Sequence, residues 1–442
     1  MMVRRQRAVR LQFFAWALLV ACLFWISCGP CASLQQAFDA RMRQELQYMA
    51  VDGRVELSGA PHGFLHIGPD AFEIVSASAL KDQEPYFRTV SVTVPEHIWG
   101  YKGQIRLETS LRLDHIDADF KQEGWHAENV ALDTDVMVRA RIEVPGKRAR
   151  WTWYARATLQ TVLQTDAKKS DVVEVSLENA RLAALDANLP WLDEDMPEAI
   201  HALVTDGIAE AIKGVIQEHK ADRFAVMRVQ PLNFTSMSLP VRVSSVRIDP
   251  EHRSVSIAFQ TALRPMQTRA QTEQDVARLE IPSEGILLQI PRQTLDAALR
   301  QQSLRGTTPI AIRFAEDDEA QWQAFWGDSA FEDNSWRGTW DMWCFDKHPC
   351  RARAMQSVVH IGEEDQVLTV SRDPLITEKD GEMTRHRDSP ASLAELQRAT
   401  LMDMTREVLR WFGDEEQADA LRTSLQEAML HNDHLDARFT LH

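Results

Sequence analysis

Long stretches in which every second residue is apolar constrain this chain more than any other feature. Ile105, Leu107, Thr109, Leu111 and Leu113 alternate with Gln104, Arg106, Glu108, Ser110 and Arg112. Val136, Val138, Ala140, Ile142 and Val144 repeat the pattern up to Pro145-Gly146, and Trp151, Trp153, Ala155, Ala157 and Leu159 take it up again. Val173, Val175 and Leu177 follow; further on come Leu239, Val241 and Val243, then Val255, Ile257, Phe259, Thr261 and Leu263. Successive side chains of a strand point to opposite faces, so such runs predict long antiparallel strands with one wet and one buried face. Asp249-Pro250-Glu251-His252 reads as the turn joining the last two runs.

Three segments carry the helical period instead. Leu34, Phe38, Met42 and Leu46 predict a helix over Leu34–Met49. A second opens at Asp195, with Pro197 in its first turn and Glu198 completing a capping box. Ile200, Leu203, Val204, Ile208, Ala211, Ile212 and Val215 give it one apolar stripe, with Glu210, Lys213 and Gln217 outward. A third is expected within Leu393–Leu430, broken near Gly413, with Leu421, Leu425 and Met429 after the break; Leu435, Ala437, Phe439 and Leu441 then form a last strand. The expected architecture is α+β, long antiparallel sheets on long amphipathic helices, in two similar halves. Residues 1–27 are set apart as an export signal, with domains at 28–222 and 223–442; residues 266–278 and 377–390 are polar loops.

The signal reading rests on Arg4, Arg5, Arg7 and Arg10, the apolar run Leu11–Ser27 and the small residues that follow. Ser27-Cys28-Gly29 resembles the processing box of bacterial lipoproteins, in which Cys28 would become the acylated N-terminus, although Trp25 stands where Leu is usual. Cleavage near Ser33 and an uncleaved anchor are the alternatives; the run of 17 residues is at the short limit for a membrane span. Each reading places the body outside the cytoplasm, in the cell envelope and facing the periplasm or the cell surface. The formal net charge of −16 becomes −20 without the four signal-segment arginines, which argues against nucleic acid as a partner. Mean hydropathy is −0.32, and no second long apolar run occurs.

Outside the N-terminal segment the cysteines are Cys344 and Cys350, which predict a local disulfide in an oxidising compartment. A metal site using His348 and Asp346 is the competing reading, short of the usual four-ligand spacing. Phosphate-loop, dinucleotide, HExxH and GxSxG motifs are missing, so no cofactor or metal is assigned. Gly327-Asp328-Ser329 looks like the nucleophile block of GDSL-type hydrolases, but it follows a charged stretch and lacks the Asp and His pair expected downstream. Trp322, Trp326, Trp336, Trp340 and Trp343 crowd beside it, and predict either a small aromatic core or a contact surface.

Two stretches resemble the tubular lipid-binding (TULIP) superfamily, which includes the bactericidal/permeability-increasing proteins. One is the second helix running into Phe224-Ala225-Val226-Met227 and the strands at 239–263. The other is Gly285–Leu295, a strand feeding a short helix. The resemblance implies a twisted sheet wrapped on a long helix around an apolar groove, lined here by Ile200, Val204, Ile208, Ile212 and Val215. It implies a non-catalytic envelope lipoprotein whose partners are a lipid or apolar small molecule and, through the Cys28 anchor, the membrane. The alternative is an adaptor that binds an envelope protein through the tryptophan-rich lobe, with a hydrolase third.

Overall fold

A computed structural model of the chain describes residues 31–47, 55, 60–99, 102–118, 129–144, 147–165, 171–187, 198–234, 237–249, 254–264, 283–305, 308–313, 320–346, 350–364, 367–370, 391–412 and 423–441. The signal segment, Cys28, the Asp195–Pro197 cap and the polar stretches 266–278 and 377–390 lie outside the described residues.

Helix α1 (31–47) opens the described chain. Strand β1 (Gly63–Ile67) and helix α2 (Pro69–Leu80) follow. Next come β2 (Tyr86–Val94), the short α3 (Glu96–Trp99), β3 (Gly103–Ala118), β4 (Asn129–Val144), β5 (Lys147–Thr165) and β6 (Val172–Asp186). Helix α4 (Glu198–Glu218) leads into β7 (Arg223–Arg228), and β2 to β7 form one six-stranded antiparallel meander. Strand β7, just past the boundary drawn near Asp222, therefore pairs with β6. Its long strands run 16, 16, 19 and 15 residues from β3 to β6. Register shifts at Leu113/His115 in β3 and at two points where β5 meets β6 mark bulges, which bend a sheet and strengthen its twist.

A short pair, β8 (Leu232–Phe234) with β9 (Met237–Leu239), precedes β10 (Val241–Asp249) and β11 (Ser254–Thr261). Strand β12 (Gly285–Pro291) runs into α5 (Arg292–Ser303), matching the strand-to-helix reading of Gly285–Leu295. Strands β13 (Leu304–Arg305), β14 (Thr308–Arg313), β15 (Gln321–Glu332), β16 (Ser335–Cys344), β17 (Arg351–Glu364) and β18 (Val367–Val370) make a second six-stranded meander. Helix α6 (Ala391–Leu409), β19 (Thr423–Leu430) and β20 (His434–Leu441) close the chain. The third sheet has the order β10-β11-β1-β12-β20-β19, so the first described strand sits among strands from the later part of the chain.

Two expectations are corrected. The segment from Thr423 to Leu430 is a strand rather than the end of a third helix. A bulge between Leu425 and Glu427 shifts the register against β20, so that apolar residues on either side of it fall at spacings resembling a helix. The disulfide joins Cys31 to Cys350, with Cα atoms 5.2 Å apart, and leaves Cys344 as a buried thiol. Strand alternation explains this. Trp343 and Phe345 both stack on Phe38 of α1, so Cys344, between them, points through the sheet into the main core.

A buried histidine at the entry to β1 makes stability pH-dependent. His62 is 7 % exposed, and its Nδ1 accepts the Thr261 backbone N–H at 3.0 Å. Burial lowers its pKa to about 4. The unfolded chain takes up a proton near pH 6.5 while the fold resists until about 4, so stability is lost as pH falls through that window. The loss attributable to His62 should reach about 2 kcal/mol by pH 5. Burial raises the pKa of Glu45 and Asp296, which pulls the other way on acidification, so the comparison is between chains. Urea unfolding at pH 7 and pH 5 should show a smaller acid loss for His62→Gln than for the natural chain; equal losses would refute the assignment.

Candidate functional site

The alternation read from sequence translates directly into the first sheet's concave face. Ile105, Leu107, Leu111 and Leu113 of β3, Val136, Val138, Ala140 and Ile142 of β4, and Trp153, Ala155, Ala157 and Leu159 of β5 are all buried. Thr109 holds its place in the row by donating to the Arg88 carbonyl at 2.9 Å. Helix α4 packs on this sheet at β2, β3 and β6, with α2 against β3 and β7 and β10 against β5 and β6.

The five residues assigned to a groove all lie on the sheet-facing side of α4. Ile200, Val204 and Ile208 are 0 % exposed, Ile212 1 % and Val215 2 %. At zero exposure no water-sized space borders Ile200, Val204 or Ile208, so protein atoms cover this part of the helix–sheet seam. Glu210 and Lys213 pair at 3.0 Å on the opposite, exposed face. Helix and sheet approach closely at Gly207, where a Cβ would lie 2.5 Å from Val92 Cγ2 and 2.8 Å from Leu107 Cδ1.

A polar latch holds the C-terminal end of α4. Tyr86 Oη donates to Asp222 Oδ2 at 3.0 Å, His219 Nδ1 lies 3.0 Å from the same oxygen, and the Tyr86 and His219 rings are 4.3 Å apart. Arg88 pairs with Glu218, and its guanidinium lies where a Cβ on Gly214 would project. Burial, and then the bond to Asp222, raise the Tyr86 hydroxyl far above its usual range, so it stays protonated as a donor. These residues come from β2, the end of α4 and the turn that follows it, with no local motif to announce them.

Gly327-Asp328-Ser329 forms a bulge in the middle of β15, where the register against β16 shifts between Trp326 and Ser329. Three arginines bind the carbonyls this bulge turns outward: Arg41 to Trp326 at 2.6 Å, Arg300 to Gly327 at 3.0 Å and Arg292 to Ser329 at 2.8 Å. The Ser329 hydroxyl donates to the Asp296 carboxylate at 2.6 Å. Trp326 Nε1–H donates to the same carboxylate at 3.0 Å, so Asp296 ties this stretch of β15 to α5. The motif thus docks on α5, and the Trp326 carbonyl before it holds Arg41 of α1, with Glu45 3.0 Å from Arg41.

The tryptophans are interior residues. Trp322, Trp326, Trp336 and Trp340 are 0 % exposed, and Trp343 is covered by Phe38. Trp326 meets Trp340 and Trp336 edge-on at 4.9 and 5.6 Å. A contact surface built on these rings is therefore ruled out, and they form an aromatic core.

Exposed aromatic area lies elsewhere, on the outer face of the first sheet. Phe87 and Tyr154 are 72 % and 70 % exposed and belong to one cross-strand row through Ser110 and Met137. A nearby row aligns Arg106, Arg141 and Arg150 on three successive strands. Glu108 and Glu143 partly neutralise it, 3.5 Å from Arg106 and 2.9 Å from Arg141. The net negative charge of the chain thus conceals a basic face.

Among the described residues no helix is long and apolar enough to cross a membrane. No protein-family model and no curated protein sequence matches the chain. Among solved structures, a crystal structure of lipopolysaccharide binding protein aligns with 87 % of this chain and 99 % of its own length. The identity is 10 % and the TM-score 0.35, a likeness of general strand arrangement that carries no information about a ligand.

Proposed function

We propose that the chain is an exported, envelope-located protein of the TULIP type. It binds a lipid or other apolar ligand between α4 and the first sheet, without covalent catalysis. The observation that carries this reading is that one helix lies along an apolar face built from strands of 15 to 19 residues. Because the stripe side chains are covered, ligand entry beside them requires α4 to lift. The five stripe side chains contribute on the order of 10 kcal/mol by burial. An acyl chain of about fourteen methylenes would supply about 11 kcal/mol in the same space. Exchange of helix contacts for acyl contacts is therefore near balance, and the latch at Tyr86, Arg88, His219 and Asp222 would serve as its hinge.

Export is supported by the signal-like N-terminus and by the Cys31–Cys350 bond, since disulfides persist in oxidising compartments. The bond also requires that Cys31 remain in the mature chain, which favours processing at Cys28 or a retained anchor over cleavage near Ser33. A second reading, docking of an acidic envelope partner, is favoured by the Phe87 and Tyr154 row beside the Arg106, Arg141 and Arg150 row.

Titration with a fluorescent acyl-chain probe checks the first reading. Saturable binding is expected, reversed by unlabelled phospholipid and unchanged when Tyr154→Ser and Phe87→Ser remove the exposed aromatics. Failure to bind, or binding lost with those two side chains, would overturn it.

A further inference from the structure

The chain ends in a hairpin whose turn, at His431-Asn432-Asp433, is closed by the His431 backbone N–H donating to the His434 carbonyl at 2.9 Å. His434 and Asp436 stand two apart on β20 and so share a face, and His431 reaches the same point from the end of β19. His431 Nε2 lies 3.1 Å from Asp436 Oδ2, and His434 Nε2 lies 3.3 Å from Asp436 Oδ1. One donor atom from each residue can be chosen so that all three lie within 4.8 Å of one another.

Each group is oriented from behind. Asp433 Oδ1 sits 2.6 Å from His434 Nδ1, which orients the ring with Nε2 toward Asp436. Gln289 Nε2 donates to Asp436 Oδ1 at 3.0 Å, and His66 and Ser256 extend the chain of contacts across β1 and β11. Asp436 is 2 % exposed. His431 Nε2 and Asp436 Oδ2 are buried atoms with no hydrogen-bond partner, because their 3.1 Å approach is not aligned for a hydrogen bond. Two imidazole nitrogens thus face the two oxygens of one buried carboxylate.

We infer that His431, His434 and Asp436 form a binding site for a divalent transition metal, zinc above all. Zinc takes imidazole and carboxylate ligands tetrahedrally at about 2.0–2.2 Å, which puts neighbouring donors about 3.3 Å apart. The two His–Asp approaches, 3.1 and 3.3 Å, run to different oxygens of Asp436, and the imidazoles are stacked with ring centres 4.7 Å apart. His431, the more exposed ring, therefore turns to bring the three ligand atoms from within 4.8 Å onto one metal. The carboxylate behind His434 and the amide behind Asp436 are the outer contacts that fix such ligands. The half-exposed side of the two imidazoles leaves the fourth position to water. The sequence concealed the site because its histidines occupy a turn and a strand rather than one helical face.

The test uses the full chain without a polyhistidine tag, stripped with chelator and titrated with zinc by calorimetry, alongside thermal unfolding. One equivalent should bind and raise Tm. His431→Ala and His434→Ala should each weaken binding by more than about tenfold and remove the Tm rise. His431 is 40 % exposed, so its variant should keep the metal-free Tm and serves even where His434→Ala folds poorly. A natural chain that takes up no zinc, or a His431→Ala chain that binds it undiminished, would overturn the inference.

Discussion

Replacing Cys350 by Ser should lower resistance to denaturant by several kcal/mol, and Cys31→Ser should match it. The bond joins residues 319 apart in sequence, and chain-entropy reasoning puts the contribution of so long a loop at about 5 kcal/mol. It also fastens α1, which is held besides by Phe38 against Phe325, Trp343 and Phe345, by Arg41 at the Trp326 carbonyl and Asp341, and by Glu45 between Arg41 and Arg300. Burial holds the Glu45 carboxyl above its usual pKa despite both arginines, so the pair of charges stabilises little by itself. Guanidinium unfolding should show the midpoint falling together in Cys31→Ser and Cys350→Ser. Cys344→Ser should behave as an ordinary core substitution. A Cys344→Ser chain that loses as much as Cys350→Ser, with Cys31→Ser unaffected, would restore the short-range pairing and refute the long-range one.

That pairing was hidden in the sequence for a physical reason. Cys31 belongs to a segment dominated by export chemistry, and its partner is reached only once α1 has docked on β15 and β16. What was legible was periodic. Rows such as Ile105 to Leu113 and Val136 to Ile142 need only the two-residue pleat to be read, and they emerged as the buried face of the first sheet. The stripe of α4 was legible in the same way, because a 3.6-residue period leaves one reading for Ile200, Val204 and Ile208. Where a bulge breaks the period, as at Leu425/Glu427, the strand imitated a helix. The latch on α4, the arginines on the β15 bulge and the His431 cluster all join residues distant in sequence or separated by a turn. Only the assembled sheet order places them together.

The claim that α4 must part from the first sheet to admit a ligand can be tested by fastening the two together. A Cβ at Gly207 would stand 3.9 Å from the Cβ of Val92, within the range that a disulfide spans. Of the other close atoms, Val92 Cγ2 is removed by the exchange, and Leu107 Cδ1, at the end of its side chain, has to shift by a few tenths of an ångström. A Gly207→Cys, Val92→Cys chain should therefore oxidise into a staple across the helix and sheet. Acyl-probe titration of this chain, oxidised and reduced, is the measurement, with the natural chain under the same reductant controlling for loss of the Cys31–Cys350 bond. The oxidised staple should abolish probe binding and reduction should restore it to the level of the control. Equal binding in both redox states would place the ligand elsewhere and contradict the account.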